Sequence, residues 1–143
     1  MAGFLLDANH LGLAVTRSTA VRRRLEKERK AGSRIGTCIP ALCEVEVGVR
    51  QVAYPEMYRQ NLKRLFLHVR IWPLDFETGS LYGEIYHELR SRGRVLSQVD
   101  MMLAALAMQM RLTLLTTDRD FEALPIVRTE NWTLEDDGPA ASP

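Results

Sequence analysis

One stretch decides the fold: SQVDMMLAALAMQM at residues 97–110, then LTLLT at residues 112–116, then Asp118. From Met101 to Met108 the sequence has no polar face, which predicts a helix that is buried on most of its surface. LTLLT predicts a buried strand. Asp100 lies in the first helical turn, so this acid and Asp118 border an apolar core. Charge in that position is costly unless a cation meets it.

Outward from this stretch, short apolar runs alternate with helical patterns. The predicted strands cover residues 4–6, 34–39, 69–74, 112–116 and a last short one at 125–127. The predicted helices cover residues 11–30, 41–52, 56–68, 75–91 and 97–110. Continuous apolar runs are typical of parallel strands that are covered on both faces. We therefore predict an α/β fold, a three-layer sandwich with a central, mostly parallel sheet of about four to five short strands.

Residues 41–52 carry contradictory signals. Val45, Val47 and Val49 favour a strand. Pro40 stands where a helix would begin, at a first-turn position that proline tolerates. We predict a helix, because it places Glu44 and Gly48 on one face, four residues apart.

Length and composition indicate one domain. The chain has 143 residues, of which 46% are hydrophobic and 26% charged, as in an ordinary globular protein with a real core. We expect the domain to cover residues 1–128 and residues 129–143 to form a weakly ordered C-terminal tail. A formal net charge of +1 neither favours nor excludes nucleic acid, although 8 of the 19 Lys and Arg lie within residues 17–34.

Cysteine usage and hydropathy bear on the compartment. Cys38 and Cys43 lack the Cys/His spacing of a zinc site, which favours reduced, inert thiols. Asp7 interrupts the short apolar start, so no signal peptide is predicted. The apolar run at residues 101–108 is too short to span a bilayer. We expect a cytoplasmic protein that does not associate with a membrane.

Four acids follow the predicted strands closely. Asp7 comes after the first strand, Glu44 lies just inside the helix after the second, Asp100 opens the helix that precedes the fourth, and Asp118 follows the fourth. In parallel sheets ligands bind at the carboxyl ends of the strands. A rim of carboxylates without local lysine or arginine suits Mg²⁺ or Mn²⁺. Such an ion would polarise a phosphodiester and lower the pKa of a bound water.

Each acid also has a simpler explanation, which the residues leave open. A carboxylate near a helix start can be a cap, and one on a helix face can be a surface charge. The competing assignments are a capping-box analogue with Ser97 for Asp100, a helix cap for Asp7, a surface acid for Glu44, and a cap of the turn at Phe121 for Asp118, with Asp120 competing for its role.

The motifs together resemble a known family, the PIN domains. The matching segments are Leu5-Leu6-Asp7-Ala8-Asn9 (hydrophobic-Asp-x-Asn), Glu44 with Gly48 (Glu-x-x-x-Gly), residues 97–105 (Asp-x-x-hydrophobic-Ala-Ala after a Ser) and residues 115–121 (Thr-x-Asp-x-Asp-Phe). The resemblance covers about residues 4–127, and the length and spacing are similar to those of VapC toxins from bacterial toxin–antitoxin pairs. One departure is Ala41, where many members have Ser or Thr.

The resemblance implies a PIN-like three-layer sandwich and a metal-dependent endoribonuclease. It also implies a toxin that a cognate antitoxin protein neutralises. By resemblance, the catalytic residues and ligands of Mg²⁺ or Mn²⁺ are Asp7, Glu44, Asp100 and Asp118, supported by Asn9 and Thr116, with Asp120 in competition with Asp118. Outside the matching motifs, we expect His10 to be a loop residue without a catalytic role and Trp132 to pack on the domain.

RNA would approach this rim along basic flanks. The candidates are Arg17, residues 22–24 and residues 92–94, which would neutralise phosphates. For residues 22–24 the alternative is a solvated helix face. The apolar helix at residues 101–108 and the stripe at residues 81–89 need more cover than one small sheet offers, so we expect a homodimer.

Two other classes of function compete with the ribonuclease. The first is another metal-dependent phosphodiesterase or phosphatase; the absence of a second Asp after Asp7, where Ala8 and Asn9 follow, disfavours a haloacid-type phosphatase. The second is a PIN-like module that binds RNA or a partner without cutting. The presence of all four acids disfavours it.

Overall fold

The structure, a computed structural model, describes residues 2–134. Its five strands in that range are β1 (Gly3–Leu6), β2 (Arg34–Thr37), β3 (Arg70–Ile71), β4 (Thr113–Leu115) and β5 (Thr129–Glu130). They form one sheet in the order β3-β2-β1-β4-β5, and every neighbouring pair is parallel. The predicted α/β class and strand number are confirmed.

Helices cover both faces of this sheet. They are α1 (Ala8–Ala14), α2 (Ala20–Lys30), α3 (Ile39–Val49), α4 (Pro55–Leu65), α5 (Phe76–Ser91) and α6 (Gln98–Met110), followed by a short 3₁₀ helix, Arg119–Ala123. Leu5 of β1 belongs to a core with α5 and α6, whereas Phe4 and Leu6 belong to a core with α1, α2 and α4. The result is the predicted three-layer sandwich.

The single helix predicted over residues 11–30 is wrong, because the chain breaks between α1 and α2. Thr19 causes the break. Its hydroxyl donates to the carbonyl of Leu13 at 2.7 Å, and its oxygen accepts from the N–H of Arg22 as the cap of α2. A short polar side chain thus replaces helical backbone bonds with local ones.

The helix predicted over residues 41–52 is confirmed as α3, with Pro40 in its first turn. Burial outweighs the strand propensity of the valines: Val45 and Val49 lie in the core, while Val47 is exposed. On the other face, α6 begins at its cap Ser97 and buries residues such as Leu103 and Leu106 against α5 and the sheet.

One chain therefore covers α6 by itself. The apolar excess that led us to expect a homodimer is absorbed within the monomer, since Ile85 and Leu89 of α5 are also buried. The homodimer therefore remains a prediction, but exposed apolar surface on α5 and α6 no longer supports it. Within the described residues, no helix is both long and apolar enough to cross a membrane.

The predicted last strand and domain boundary need correction. Residues 125–127 form no strand; the fifth strand is β5, which pairs with β4 through Thr116 N–H to Glu130 carbonyl at 3.0 Å. Trp132 is buried, as expected, and its ring lies 4.8 Å from that of Phe4. Residues 129–134 therefore belong to the domain rather than to a tail. The rest of the predicted tail lies outside the described residues.

The close packing of β2 against β3 generates a first prediction. A Cβ on Gly36 in β2 would lie 2.6 Å from the Trp72 ring and 2.9 Å from the Arg70 carbonyl. We expect Gly36→Ala to lower the free energy of unfolding by about 1–3 kcal/mol through overpacking. Gly83→Ala in α5, where an added Cβ meets nothing within 4 Å, should raise it slightly. Urea unfolding of both variants measures this. Equal stabilities would contradict the close approach.

Candidate active site

The site is built around Asp7, the residue that follows the central strand. Register places Leu6 beside Leu115, and the Asp7 N–H donates to the carbonyl of Leu115 at 3.2 Å. The side chain caps α1: Oδ1 accepts from the His10 N–H at 2.7 Å. Only 9% of Asp7 is exposed, so its carboxylate is fixed at the rim by both backbone and side chain.

Glu44 approaches this rim from α3. Burial of its carboxyl group raises the pKa of Glu44, and the nearby carboxylates of Asp100 and Asp7 raise it further. Glu46, on the same helix, instead pairs with Arg59 at 3.0 Å. Helix α3 thus places Glu44 near the other acids and Glu46 beside the guanidinium of Arg59.

Asp100 approaches from the first turn of α6, half-buried. Burial raises the pKa of Asp100, the Ser97 hydroxyl opposes this, and Asp118, Asp7 and Asp120 raise it further. Ser97 does cap the helix, by accepting from the Asp100 N–H at 3.1 Å. A complete capping box is instead formed by Asp75 and Thr78 at α5. The Asp100 carboxylate therefore faces other acids.

The segment after β4 supplies the remaining acids. Asp118 caps the 3₁₀ helix, because its Oδ1 accepts from the Asp120 N–H at 2.8 Å. Thr116 is buried, and its Oγ1 accepts from the Asp118 N–H at 3.0 Å. The Asn9 amide nitrogen lies 3.5 Å from the Thr117 hydroxyl, which links α1 to this segment. Asp118 and Asp120 both act on Asp100, so the choice between them stays open.

The chemistry of this donor set fits a hard divalent cation. Within residues 2–134, no lysine or arginine lies at ion-pair distance from Glu44, Asp100 or Asp118. In the same range no three His, Cys, Asp or Glu side chains are close enough together to form a closed metal site. An ion that keeps several waters needs only one or two direct carboxylates. The rim therefore suits Mg²⁺ or Mn²⁺ better than Zn²⁺, which takes more protein ligands.

His10 departs from its prediction as a loop residue. It lies in α1 and is completely buried. Its Nδ1 is 3.1 Å from Oδ1 of Asp7, and its Nε2 accepts from the N–H of Trp132 at 3.1 Å. The sequence offered one local signal, the spacing of three from Asp7. No sequence pattern indicates the contact with Trp132, which is 122 positions away.

Residues 4–127 match the family model described as PIN domain. The chain belongs to the PIN-domain family.

Proteins similar to this PIN domain include a ribonuclease and a chain of a solved toxin–antitoxin complex from Klebsiella pneumoniae. Over 92 residues the chain is 26% identical to Ribonuclease VapC2 of Rickettsia felis, covering 64% of this chain and 69% of that protein. A chain of the VapBC2 complex of Rickettsia felis, bound to a DNA fragment from their promoter, superposes with a TM-score of 0.81 at 24% identity, over 91% of this chain and 98% of that one. A chain of the DNA-bound VapBC complex of Salmonella typhimurium superposes with a TM-score of 0.79 at 24% identity, over 92% of this chain and 99% of that one.

The raised pKa of Asp100 generates a prediction about stability. Below about pH 3.8, its ordinary value, the group is protonated in both states; as the pH rises through the raised folded-state pKa, the folded protein loses stability. An Asn side chain does not ionise, so Asp100→Asn does not lose this stability as the pH rises. In EDTA its melting temperature should exceed that of the wild type at pH 7, and the difference should vanish toward pH 4.

The matched control is Ser97→Ala, which removes the cap of the same helix. It should cost about 1 kcal/mol near pH 4, where Asp100 is protonated, and more at pH 7, because the Ser97 hydroxyl also stabilises the ionised carboxylate of Asp100. If Asp100→Asn likewise lowers the melting temperature and shows no gain at pH 7, Asp100 acts as part of the helix start alone. Thermal melts across the pH range decide between these outcomes.

Proposed function

We propose that this PIN domain is a Mg²⁺- or Mn²⁺-dependent endoribonuclease and the toxin of a type II toxin–antitoxin pair. One observation carries the proposal. The carboxylates of Glu44 and Asp100 are held among other acids, and burial and then the charge of those acids raise their pKa values. No lysine or arginine of residues 2–134 pairs with them. Acids held together at such a cost indicate a site that a cation completes. The ribonuclease among the relatives supports RNA as the substrate.

The residues divide the work by their surroundings. Asp7, Glu44, Asp100 and Asp118 would hold the ion, one or two of them directly and the others through its waters, with Asp120 as the alternative to Asp118. When bound, the ion supplies charge for the phosphodiester oxygens, a more acidic water and a partner for the leaving oxygen. Asn9 and Thr116 would keep the loops in place. Glu44 has a raised pKa and is the most exposed of the acids that α3 and α6 bring to the rim, so its carboxylate is suited to take a proton from the attacking water.

The basic flanks are not equivalent as RNA contacts. Arg24 pairs with Glu28 at 3.3 Å and lies over the Trp132 ring, so its charge is already engaged. Arg92 pairs with Glu88 at 2.7 Å. Arg94 is exposed, has no ion-pair partner within the described residues, and precedes the helix that carries Asp100. We assign the phosphate contact nearest the rim to Arg94.

An antitoxin would neutralise the enzyme by covering the rim. A groove of about 390 Å³ runs beside it, lined by residues of α1, α3 and α4 that include Glu44, Gly48 and Tyr58. Structural neighbours were solved as VapBC complexes, which supports a protein partner for this chain. Toxin, antitoxin and RNA would meet in the cytoplasm.

Cleavage assays test the proposal. Mn²⁺ should allow the protein to cut a mixed RNA pool, and EDTA should abolish cutting. Asp7→Asn should lower the rate by more than about 100-fold, because a direct ligand matters more than an outer partner, which is worth 10–100-fold. Glu46→Gln is the control: an acid of α3 that pairs with Arg59 and has no assigned role.

Other outcomes favour the competing functions. Cleavage of DNA but not RNA would indicate another metal-dependent phosphodiesterase. RNA binding without cleavage under Mn²⁺ would indicate a non-cutting module. Mn²⁺ at about a hundredfold excess over its Kd should also add roughly 2–3 kcal/mol to the free energy of unfolding. A melting curve that Mn²⁺ and Mg²⁺ leave unchanged would argue against the site.

The assignment of Arg94 predicts a change in salt dependence. Arg94→Gln should weaken binding of single-stranded RNA and make the log–log salt slope shallower by roughly 0.7, the value for one lost phosphate contact. Arg24→Gln, which breaks contacts within the protein, should lower stability and leave the slope unchanged. Binding isotherms for an inactive Asp7→Asn background at several salt concentrations measure both. A shallower slope in Arg24→Gln together with an unchanged slope in Arg94→Gln would instead place the phosphate contact on α2.

A further inference from the structure

His10 has an unusual environment for an imidazole beside a candidate metal site. None of its surface is exposed, and its neighbour Leu11 and its hydrogen-bond partner Trp132 both belong to the core on the face of the sheet that α1, α2 and α4 cover. Each ring nitrogen nevertheless has one polar partner: Nδ1 meets Oδ1 of Asp7 at 3.1 Å, and Nε2 meets the main-chain nitrogen of Trp132 at 3.1 Å. The ring thus joins the end of β1 to the segment after β5.

The partner at Nε2 fixes where the ring carries its hydrogen. A main-chain N–H only donates, so Nε2 must accept and carries no hydrogen while this bond exists. The hydrogen of the neutral ring therefore resides on Nδ1, where it points at Oδ1 of Asp7. The Trp132 backbone selects the tautomer, and the tautomer provides the donor.

Trp132 is itself held firmly. Its ring packs on Phe4 with centroids 4.8 Å apart, its Nε1 donates to Glu130 at 3.2 Å, and Arg24 lies 5.1 Å above it. These contacts fix the main chain at Trp132, and with it the orientation of the imidazole.

The consequence falls on the two oxygens of Asp7. Oδ1 accepts both from the His10 main chain at 2.7 Å and from the His10 ring. All hydrogen bonds that the Asp7 carboxylate makes with the described residues end on Oδ1, so Oδ2 remains for the rim. We propose that His10 is a positioning residue: its Nδ1–H, held in that tautomer by Trp132, orients the Asp7 carboxylate so that Oδ2 can bind the divalent ion. This inference rests on the proposed metal site.

A purely structural histidine would fill the same space. Both roles predict the same tautomer, because the Trp132 N–H fixes it in either case, and they differ in what they predict for metal affinity. A partner that orients a ligand from outside typically changes metal affinity by 10–100-fold. A core residue without that role changes stability and leaves the affinity of the folded protein alone.

The first measurement is the tautomer in the metal-free wild type, from two-bond ¹H–¹⁵N correlations of the imidazole rings. The chain has three histidines, and His68 and His87 are exposed, so His68→Gln and His87→Gln assign the signals of His10. We expect hydrogen on Nδ1 and none on Nε2. Hydrogen on Nε2 would overturn the inference, and this result does not depend on whether any His10 variant folds.

The second measurement is Mn²⁺ affinity by calorimetry. His10→Asn retains an amide N–H near the position of Nδ1, His10→Gln reaches only toward Trp132, and His10→Leu lacks both groups. We expect the Leu and Gln variants to bind Mn²⁺ at least about tenfold more weakly than the wild type, and the Asn variant to recover most of that loss. Leu89→Ala, a buried truncation on the other face, controls for lost stability.

The outcomes separate this inference from the proposed function. A wild-type protein that binds no Mn²⁺ and cuts no RNA overturns the proposed function, and the role of His10 toward an ion with it. Wild-type affinity in the Leu and Gln variants, or an equal loss in Leu89→Ala, overturns the positioning role and leaves the proposed function standing.

Discussion

The site depends on the burial of β1 as the central strand of a parallel sheet. All four of its residues are buried, and it is hydrogen-bonded to β2 on one side and β4 on the other. Its register cannot slip without moving an apolar side chain to the wrong core. Because parallel strands end at the same edge, this register places Asp7 and Thr116 side by side. The loop after β4 then brings Asp118 to the same rim.

Because three of the acids at the rim lie at the starts of helices, their negative charge is stabilised even without a cation. Asp7 is the cap of α1, Asp118 is the cap of the 3₁₀ helix, and Asp100 lies in the first turn of α6. Backbone N–H groups and the positive end of a helix stabilise negative charge at such positions. The simpler explanation of Asp7 and Asp118 as caps is therefore correct as far as it goes, and it is compatible with a metal site. A cap uses one carboxylate oxygen, Oδ1 in both Asp7 and Asp118, and leaves the other oxygen available for a metal ion.

Local patterns carried the parts of the fold that the sequence predicted. The apolar run of α6, its cap Ser97 and the acids after β1 and β4 are each set by neighbouring residues, so they could be recognised without a structure. The break before α2 depends on which carbonyl the Thr19 hydroxyl reaches. Strand β5 has two exposed residues and no apolar pattern. It exists because β4 offers a free edge, which no local signal reveals.

The contact between His10 and Trp132 shows the same limit at the site itself. The two residues are 122 positions apart, and the bond joins a side chain to a main-chain N–H, so the identity of residue 132 hardly constrains it. What the sequence determines is the packing of the Trp132 ring on Phe4, which in turn places that N–H. The outermost strand of the sheet and the residues that follow it thus belong to the support of the central acid. A boundary drawn after residue 128 would remove that support, although none of the acids lies beyond it.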